Sequence, residues 1–308
     1  MATITDYLTQ LQTDKQTLIN NLVSKGVDAT SEDTFTTLAP KVLDLSSGAE
    51  KIIDGQYLFY MGHRVDQFNY LMSLLDTTDW SYLFSNIVIP TENTEIDLEK
   101  LNTSNVERFY CTFQYGALKN KTELNLNDWD VSKATTFESM FSNVTYVTKI
   151  DISDWIMKCP CRGMFRSMSS LKEVVFARVE NRDDGSSNSF ERVFAGCTNL
   201  EKVDLSRINT TNVSIMTYMF QNCSSLKEID LSSLHTTNLY YLDGTFDGCT
   251  SLEKLDIRGL DFEIIRYTSN AFRNVPANCE IIVGTDQDKE KVLLLRSDFT
   301  NVKTVAEL

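Results

Sequence analysis

Several features that mark common classes of protein are missing from this sequence. No apolar run approaches the ~20 residues that a membrane-spanning helix requires, and the four prolines leave no Pro-rich linker. The N-terminus, MATITDYLTQLQTDKQ, has neither the basic nor the apolar segment of a secretory signal. We therefore expect a protein that is made in a cytoplasm, is not secreted by a signal peptide and has no membrane partner.

Positive charge is scarce relative to negative charge. The chain has 29 Lys and Arg against 43 Asp and Glu, which gives a formal net charge of −14. An acidic surface repels phosphate backbones and anionic lipid heads, which argues against nucleic acid and membrane surfaces as partners. The seven cysteines are an odd number in a long chain, which argues against a disulfide framework and for a reducing compartment.

Residues and motifs typical of catalysis are also scarce. Of the two histidines, His63 precedes the repeats, and His235 occupies a turn position that holds Asn209 in the neighbouring repeat. A turn position that varies between repeats is typical of a solvated residue. The sequence has no G-x-S-x-G, H-E-x-x-H, Walker or G-x-G-x-x-G motif. We predict no catalytic residue and no cofactor, and an enzyme is only a third, distant alternative.

The segment from Cys159 to Cys161 is the one arrangement that suggests a metal or redox site. Structural metal sites usually combine two close pairs of ligands, and no second pair lies nearby in the sequence. Cys161 also stands four residues before Phe165, at a position that is apolar in the other repeats. We therefore favour packed thiols and predict no metal.

A repeated unit occupies most of the chain. Residues 200–220 read LEKVDLSRINTTNVSIMTYMF, and residues 226–246 read LKEIDLSSLHTTNLYYLDGTF. Both end in a phenylalanine, and the same frame continues in both directions in steps of 24 to 29 residues. The eight anchor phenylalanines are Phe84, Phe113, Phe141, Phe165, Phe194, Phe220, Phe246 and Phe272. Matching flanks around these anchors indicate structural units that stack on one another.

Each unit combines two hydrophobic patterns. Before an anchor, apolar residues such as Val213, Met216 and Met219 recur at the spacing of one face of a helical turn. After it, a short turn leads to alternating apolar residues such as Ile229 and Leu231, which predict a half-buried strand. We therefore predict an α/β repeat solenoid, leucine-rich-repeat-like, with a parallel sheet on one side and short helical segments on the other.

These patterns divide the chain into four parts. We assign residues 1–47 to a small α-helical module for assembly or docking, and residues 48–79 to a linker and N-terminal cap. The leucine-rich-type repeats occupy residues 80–283. Residues 284–308 form a C-terminal cap, which is needed because open strand edges invite aggregation.

The repeat resembles the BspA-like leucine-rich repeats. The shared pattern is DLS-x-[W/L/I]-x-T-[S/T]-N-V-x-x-M-x-x-M-F-x-x-C-x-x-L, and it extends over roughly residues 80–283. Such repeats recur in bacterial surface proteins, mycoplasma lipoproteins and bacteriophage tail proteins, so the resemblance implies a fold and leaves the ligand open. Residues 152–165 and 176–194 depart from the pattern, and we expect them to bulge or bend the stack.

Two sets of aligned residues are expected in the core. Cys197, Cys223 and Cys249 each follow an anchor by three residues, which predicts a ladder of buried free thiols. Trp129 and Trp155 align with apolar positions of other repeats. They are therefore predicted to pack inside the solenoid, which argues against a sugar-stacking platform.

One acidic residue recurs between the inward strand positions of five repeats. These residues are Asp97, Asp151, Asp204, Asp230 and Asp256. On neighbouring parallel strands they would lie about 4.8 Å apart on the exposed face, where they would repel each other or recruit a cation such as calcium. Alternatively, each carboxylate bonds the local backbone or a Ser of the next coil, and this is the interpretation that we favour.

The first helix of the N-terminal module carries an apolar seam at alternating steps of four and three. The seam consists of Ile4, Leu8, Leu11, Leu18 and Leu22, with Lys15 interrupting it. It packs either on a second helix in SEDTFTTLAPKVLDL or on other copies of the chain, and we favour a trimer. The phrases YLTQLQTDKQTLINNLVSKGV and TFTTLAPKV resemble the N-terminal segment of tail-associated proteins from phages and prophages of Gram-positive bacteria.

That resemblance implies a structural and receptor-binding protein of a virion tail, with other tail or baseplate proteins as partners. The solenoid would bind a host-surface protein or glycan, and a bacterial cell-surface adhesin is the alternative. The candidate binding residues are the outward strand positions Asp204, Ser206, Asp230, Ser232, Asp256 and Arg258. The irregular loop from Asn181 to Asn188 is a second candidate, because loops often carry binding residues.

Overall fold

A computed structural model describes residues 78–308 except 86–87, 90–97, 120, 181–186, 209–211 and 235, together with Asn20 and Thr30. The assembly seam formed by Ile4, Leu8, Leu11, Leu18 and Leu22 lies outside the described residues. So do His63, Asp97, His235 and most of the Asn181–Asn188 loop.

The chain coils into a parallel β-solenoid that contains little helix. The strands are β1 Val88–Ile89, β2 Ala117–Leu118, β3 Glu123–Asn125, β4 Lys149–Asp151, β5 Ile156–Met157, β6 Glu173–Val175, β7 Arg178–Val179, β8 Asn188–Ser189, β9 Lys202–Asp204, β10 Val213–Ile215, β11 Glu228–Asp230, β12 Lys254–Asp256, β13 Glu280–Val283 and β14 Val302–Thr304. Short 3-10 turns occupy Leu98–Lys100 and Val305–Glu307.

All pairs of these strands are parallel, as stacked repeats require. One four-stranded sheet has the order β3-β4-β6-β9, and a second has the order β11-β12-β13-β14. Three smaller sheets pair β1 with β2, β5 with β7 and β8 with β10. The predicted parallel sheet is therefore present, and short strands of about three residues suffice because each is held by its neighbours on both sides.

Opposite charges alternate across the first four-stranded sheet. The register places Glu123 beside Lys149, Lys149 beside Glu173, and Glu173 beside Lys202. The Glu173 carboxylate lies 3.6 Å from the Lys149 Nζ and 3.9 Å from the Lys202 Nζ. We call this column the charge ladder. It favours the observed register, because sliding one strand along its neighbour would separate the Glu and Lys side chains that attract each other.

The second four-stranded sheet repeats the alternation. Glu228 pairs with Lys254, and Lys254 pairs with Glu280. The Lys254 Nζ lies 3.1 Å from the Glu228 Oε1. The exposed strand face is thus close to neutral along these columns, although the chain as a whole is strongly acidic.

The anchor phenylalanines form the centre of the core. From Phe84 to Phe272 each ring stacks on the next, with centroids 5.0 to 6.2 Å apart and planes within 19° of parallel. All eight side chains are buried. The repeat frame read from the sequence is therefore confirmed as the frame of the core, and the stacking adds to the hydrophobic contribution of burial.

The short helical segments predicted beside the anchors are not found in the described residues. Instead, φ is positive two residues before each anchor and two residues after most of them. The residues before the anchors are Tyr82, Cys111, Ser139, Gly163, Arg192, Tyr218, Gly244 and Asn270. A right-handed helix cannot contain left-handed residues at every fourth position, so this side of each coil is a run of tight turns.

The turn side is held together by its own hydrogen bonds between coils. Around Phe220, the N–H groups of Tyr218, Phe220 and Asn222 donate to carbonyl oxygens of the next repeat at 2.8, 2.9 and 2.7 Å. The corresponding bonds from the anchor and from the residue two before it recur at each junction from Phe84 to Phe246. We call this array the turn ladder. It offsets the cost of left-handed non-Gly residues, which is roughly 1–2 kcal/mol each.

The C-terminal residues add one helix and a last strand. Helix α1, Asp286–Leu295, begins with a capping box in which Thr285 and Asp288 exchange hydrogen bonds. The chain then returns as β14, which pairs with β13 and extends the second sheet. No helix in the described part of the chain is long and apolar enough to cross a membrane.

Candidate binding surfaces

The predicted strand-face residues lie where the strands end, with Asp204, Asp230 and Asp256 as the last residues of β9, β11 and β12. The Asp204 Oδ1 accepts the Ser206 backbone N–H at 2.9 Å, and the Asp230 Oδ1 accepts the Ser232 N–H at 2.8 Å. The Ser206 side chain and N–H hold the pKa of Asp204 below its ordinary value. Each of these carboxylates therefore stabilises its own turn, as in the local-bonding interpretation, and Asp204 and Asp230 remain exposed.

Asp256 departs from the prediction that the acidic column is exposed. Its side chain is buried, and its carboxylate accepts the Arg258 Nε at 2.9 and 3.0 Å and also pairs with the Arg258 Nη2. The arginine stands where Ser206 and Ser232 follow the other two aspartates, and its longer side chain folds back over the carboxylate. Asp256 is thus paired rather than available to a ligand.

The thiol ladder is present as predicted. Cys197, Cys223 and Cys249 are buried and free, and each Sγ donates to the carbonyl of an anchor phenylalanine in the preceding repeats at 3.0 to 3.2 Å. Burial raises the pKa of Cys197 and of Cys249 to about 12, and raises that of Cys223 as well. These thiols are therefore packing groups that resist ionisation.

The other residues that were expected in the core are buried as well. Cys159 and Cys161 are buried, and burial raises the pKa of Cys161. No group of three or more His, Cys, Asp or Glu that could hold a metal occurs among the described residues. Trp129 and Trp155 are buried, and their Nε1 atoms donate to backbone carbonyls at 2.9 and 2.7 Å.

A group of exposed tyrosines on the turn side was missed by the sequence reasoning. Tyr241 and Tyr267 stand five residues before successive anchors, and their rings stack with centroids 4.6 Å apart and planes 5° from parallel. Tyr240, Tyr241 and Tyr267 are exposed by 43%, 38% and 52%. We call these three residues the tyrosine patch. The sequence signal was that Tyr241 and Tyr267 occupy the same repeat position. A helical interpretation of this segment did not predict the direction in which that side chain points.

A second aromatic contact lies at the left-handed positions. The Arg192 guanidinium carbon is 4.8 Å from the centroid of the Tyr218 ring. On the other side of that ring stands Gly244, where an added Cβ would meet the ring carbons at 2.4 Å. Glycine is required at position 244 by this close approach, and its φ of 57° lies in the region that glycine adopts without steric cost.

The protein is a repeat protein of the parallel β-solenoid class. Its defining features are the stacked coils, the charge ladder and the exposed turn-side aromatics. The family described as Mycoplasma protein of unknown function, DUF285, matches residues 78–175 and 159–283. These matches cover more than half of the chain, and the chain belongs to this family. The BspA-like repeat resemblance is confirmed at the level of the repeats, while residues 1–47 lie outside the matched ranges. No curated protein matches the chain.

Proposed function

We propose that this chain is a binding protein of a phage or prophage tail, and that its solenoid contacts a protein or glycan on the host surface. The tyrosine patch is the observation that carries the binding part of the proposal. Tyrosines offer a large, rigid and amphipathic contact area, and they are enriched where proteins recognise partners. Rings already stacked on one another lose little conformational freedom when a partner binds.

The stacked architecture supports the same proposal. Backbone ladders on both sides of the coil fix each repeat against the next, so exposed side chains are held at constant spacing. Such extended surfaces suit binding in which modest contacts are multiplied over several copies. A second, polar surface for a ligand is formed at the strand ends by the exposed Asp204, Ser206 and Asp230 and the partly exposed Ser232.

The tail assignment rests on the resemblance of residues 1–47 to tail-associated proteins. Other tail or baseplate proteins are the partners proposed for that segment. A cell-surface adhesin would use the same solenoid, so the two roles differ in where the chain resides. Co-sedimentation of the chain with induced phage particles supports the tail role, whereas its recovery on the surface of the producing cell supports the adhesin.

The binding surface is tested with fluorescently labelled full-length protein on a panel of Gram-positive cells. We expect Tyr241→Ala with Tyr267→Ala to reduce the retained fluorescence at least about tenfold, since aromatic anchors commonly contribute 2 kcal/mol or more. Tyr115→Asn is the matched control, because Tyr115 is 56% exposed elsewhere on the turn side and asparagine tolerates its positive φ.

Treatment of the cells identifies the ligand class. Loss of binding after protease treatment indicates a protein receptor, and loss after periodate oxidation indicates a glycan. Equal binding by the double variant and the control would exclude the tyrosine patch. In that case, a loss of binding in Asp204→Ala with Asp230→Ala would assign recognition to the strand face.

A further inference from the structure

The turn ladder ends at the last repeat with its donors open. In the preceding repeat, the N–H groups of Leu242, Gly244, Phe246 and Gly248 donate to carbonyl oxygens at 2.7 to 2.9 Å. The equivalent donors of the last repeat are the backbone N–H groups of Thr268, Asn270, Phe272 and Asn274. None of these four groups has a hydrogen-bond acceptor within the part of the chain that the structure describes.

The open donors follow from the way the chain leaves the last coil. After β13, α1 and β14 extend the sheet side by one further strand. No further run of tight turns follows Phe272 in the described residues up to Leu308. We call the set of turns that one repeat contributes to the turn ladder a rung, so the turn side gains no rung to match the additional strand. The two sides of the solenoid therefore end at different places, and the turn side is one rung shorter.

The last rung keeps the conformation of the earlier rungs. Asn270 and Asn274 have φ values of 58° and 64°, in the same left-handed region as the equivalent residues of the other repeats. The turns are closed within the rung, because Ala271 N–H donates to the Thr268 carbonyl and Arg273 N–H donates to the Asn270 carbonyl. With this backbone, the four open N–H groups point out of the same end of the stack.

These donors border a cavity of about 430 Å³. Its lining includes the four donor residues, Leu295 at the end of α1, and two arginines, Arg273 and Arg296. Among the residues that the structure describes, no carboxylate lines this cavity, although the chain carries a net charge of −14.

The two arginines are held in place by contacts around the cavity. Arg273 pairs with Asp247, and Arg296 pairs with Asp298. The Arg296 Nη1 also donates to the carbonyls of Phe272 and Val275 at 2.7 and 3.1 Å. Because neither aspartate lines the cavity, a ligand there meets guanidinium groups and amide N–H groups, with no facing carboxylate from the described part of the chain.

We infer that the open end of the turn ladder binds an oxyanion, a phosphate or carboxylate group. The open N–H groups belong to alternate residues, because the N–H groups of Ser269, Ala271 and Arg273 are bonded within the protein. Backbone N–H groups that face one cavity beside guanidinium groups provide charge-assisted and neutral donors that suit such anions. A tetrahedral or planar oxyanion would accept from neighbouring donors in place of the carbonyls that a further repeat would supply. Thr268 directly follows Tyr267 of the tyrosine patch, but Tyr267 is not among the lining residues, and the inference does not depend on the proposed function.

The test uses the isotopically labelled full-length chain and inorganic phosphate, followed by backbone amide chemical shifts at constant ionic strength. We expect saturable shifts at the amides of Thr268, Asn270, Phe272 and Asn274 that exceed those elsewhere. A parallel titration with acetate distinguishes a preference for phosphate from a preference for carboxylate. Shifts that never saturate, or that chloride reproduces, would overturn the inference.

A matched pair of variants checks the location. Leu295→Glu places a carboxylate at the cavity and should weaken phosphate binding at least about tenfold, because like charges a few ångströms apart repel strongly. Leu294→Glu is the control, since Leu294 is 84% exposed and does not line the cavity. Unchanged phosphate affinity in Leu295→Glu would contradict the site.

Two further measurements keep the result interpretable. If Leu295→Glu fails to fold, Arg273→Gln replaces it, and we expect a several-fold weaker phosphate affinity from loss of an exposed positive charge. If the four amides shift with protein concentration before any phosphate is added, a second copy of the chain occupies the donors. That outcome would refute the oxyanion site in favour of pairing between chains.

Discussion

At the scale of single residues, the positions two before each anchor and two after most anchors determine the path of the turn side. They have positive φ in side chains as different as Tyr218, Arg192 and Ser139. The residues before the anchors carry no common sequence signal, because left-handed backbone is expected mainly of Gly, Asn and Asp. The positions after the anchors carry a partial signal, since Asn143, Gly196, Asn222, Gly248 and Asn274 occupy them. The conformation is imposed by bonds between coils, which are long-range in sequence. This is why the anchors and the short turns after them could be predicted, whereas the left-handed backbone before the anchors could not.

Gly244 offers a direct test of these positions. Gly244→Ala should lower the free energy of unfolding by roughly 1–2 kcal/mol from its left-handed backbone, and further from displacement of the Tyr218 ring. Gly163→Ala is the matched control, because its φ is 59° but the nearest side-chain atom lies 3.4 Å from the added Cβ. Urea unfolding of both variants gives the comparison, and equal destabilisation would argue against a role for the ring.

The candidate binding residues illustrate the same division between local and long-range information. The Asp-x-Ser turns at Asp204 and Asp230 were predicted as one of two alternatives, because a carboxylate two residues before an N–H bonds it locally. The burial of Asp256 depends on the single change to Arg258, and only the three-dimensional contact shows the pair.

At the scale of elements, the strands could be predicted because alternation of apolar residues has a period of two that only a strand satisfies. The turn side was assigned to helix because apolar residues at steps of three and four fit one face of a helix. A run of four-residue turns closed by hydrogen bonds has nearly the same spacing, so the hydrophobic pattern alone does not separate the two structures. The tyrosine patch was missed for this reason.

The charge ladder leads to a prediction about the first sheet. Glu173→Lys would place three lysines on neighbouring strands, and we expect it to lower the free energy of unfolding by about 1 kcal/mol. Glu173→Gln, which removes attraction without adding repulsion, should have a smaller effect. The difference should shrink at ~1 M salt, where charges are screened within about 3 Å. Urea titrations at two salt concentrations measure it, and a difference independent of salt would contradict an electrostatic origin.

At the scale of the whole molecule, each coil depends on its neighbours through the charge ladder and the turn ladder. The solenoid therefore behaves as a stack with nearest-neighbour interactions. The Phe column and the strand columns lie on this stack in one frame from Phe84 to Phe272. Residues 1–47 fall outside it, and their role as an assembly module stays a prediction from the heptad seam.

The mass of the chain in solution tests that module. We expect the full chain to form a trimer or dimer and a variant without residues 1–47 to be a monomer, because a single amphipathic helix needs a partner for its apolar stripe. Light scattering coupled to size-exclusion chromatography provides the masses. A monomer in both cases would rule out the coiled-coil seam and leave the segment as a docking peptide.

The turn ladder also gives the solenoid a direction. Every coil offers N–H groups towards the C-terminus and carbonyls towards the N-terminus, so any coil of the regular type fits between any two others. Gene segments encoding one unit, such as residues 221–246, can therefore be duplicated or lost without changing what either end presents. The length of the solenoid can therefore change by whole repeats. Selection for a longer or shorter solenoid can act by the gain or loss of one repeat at a time.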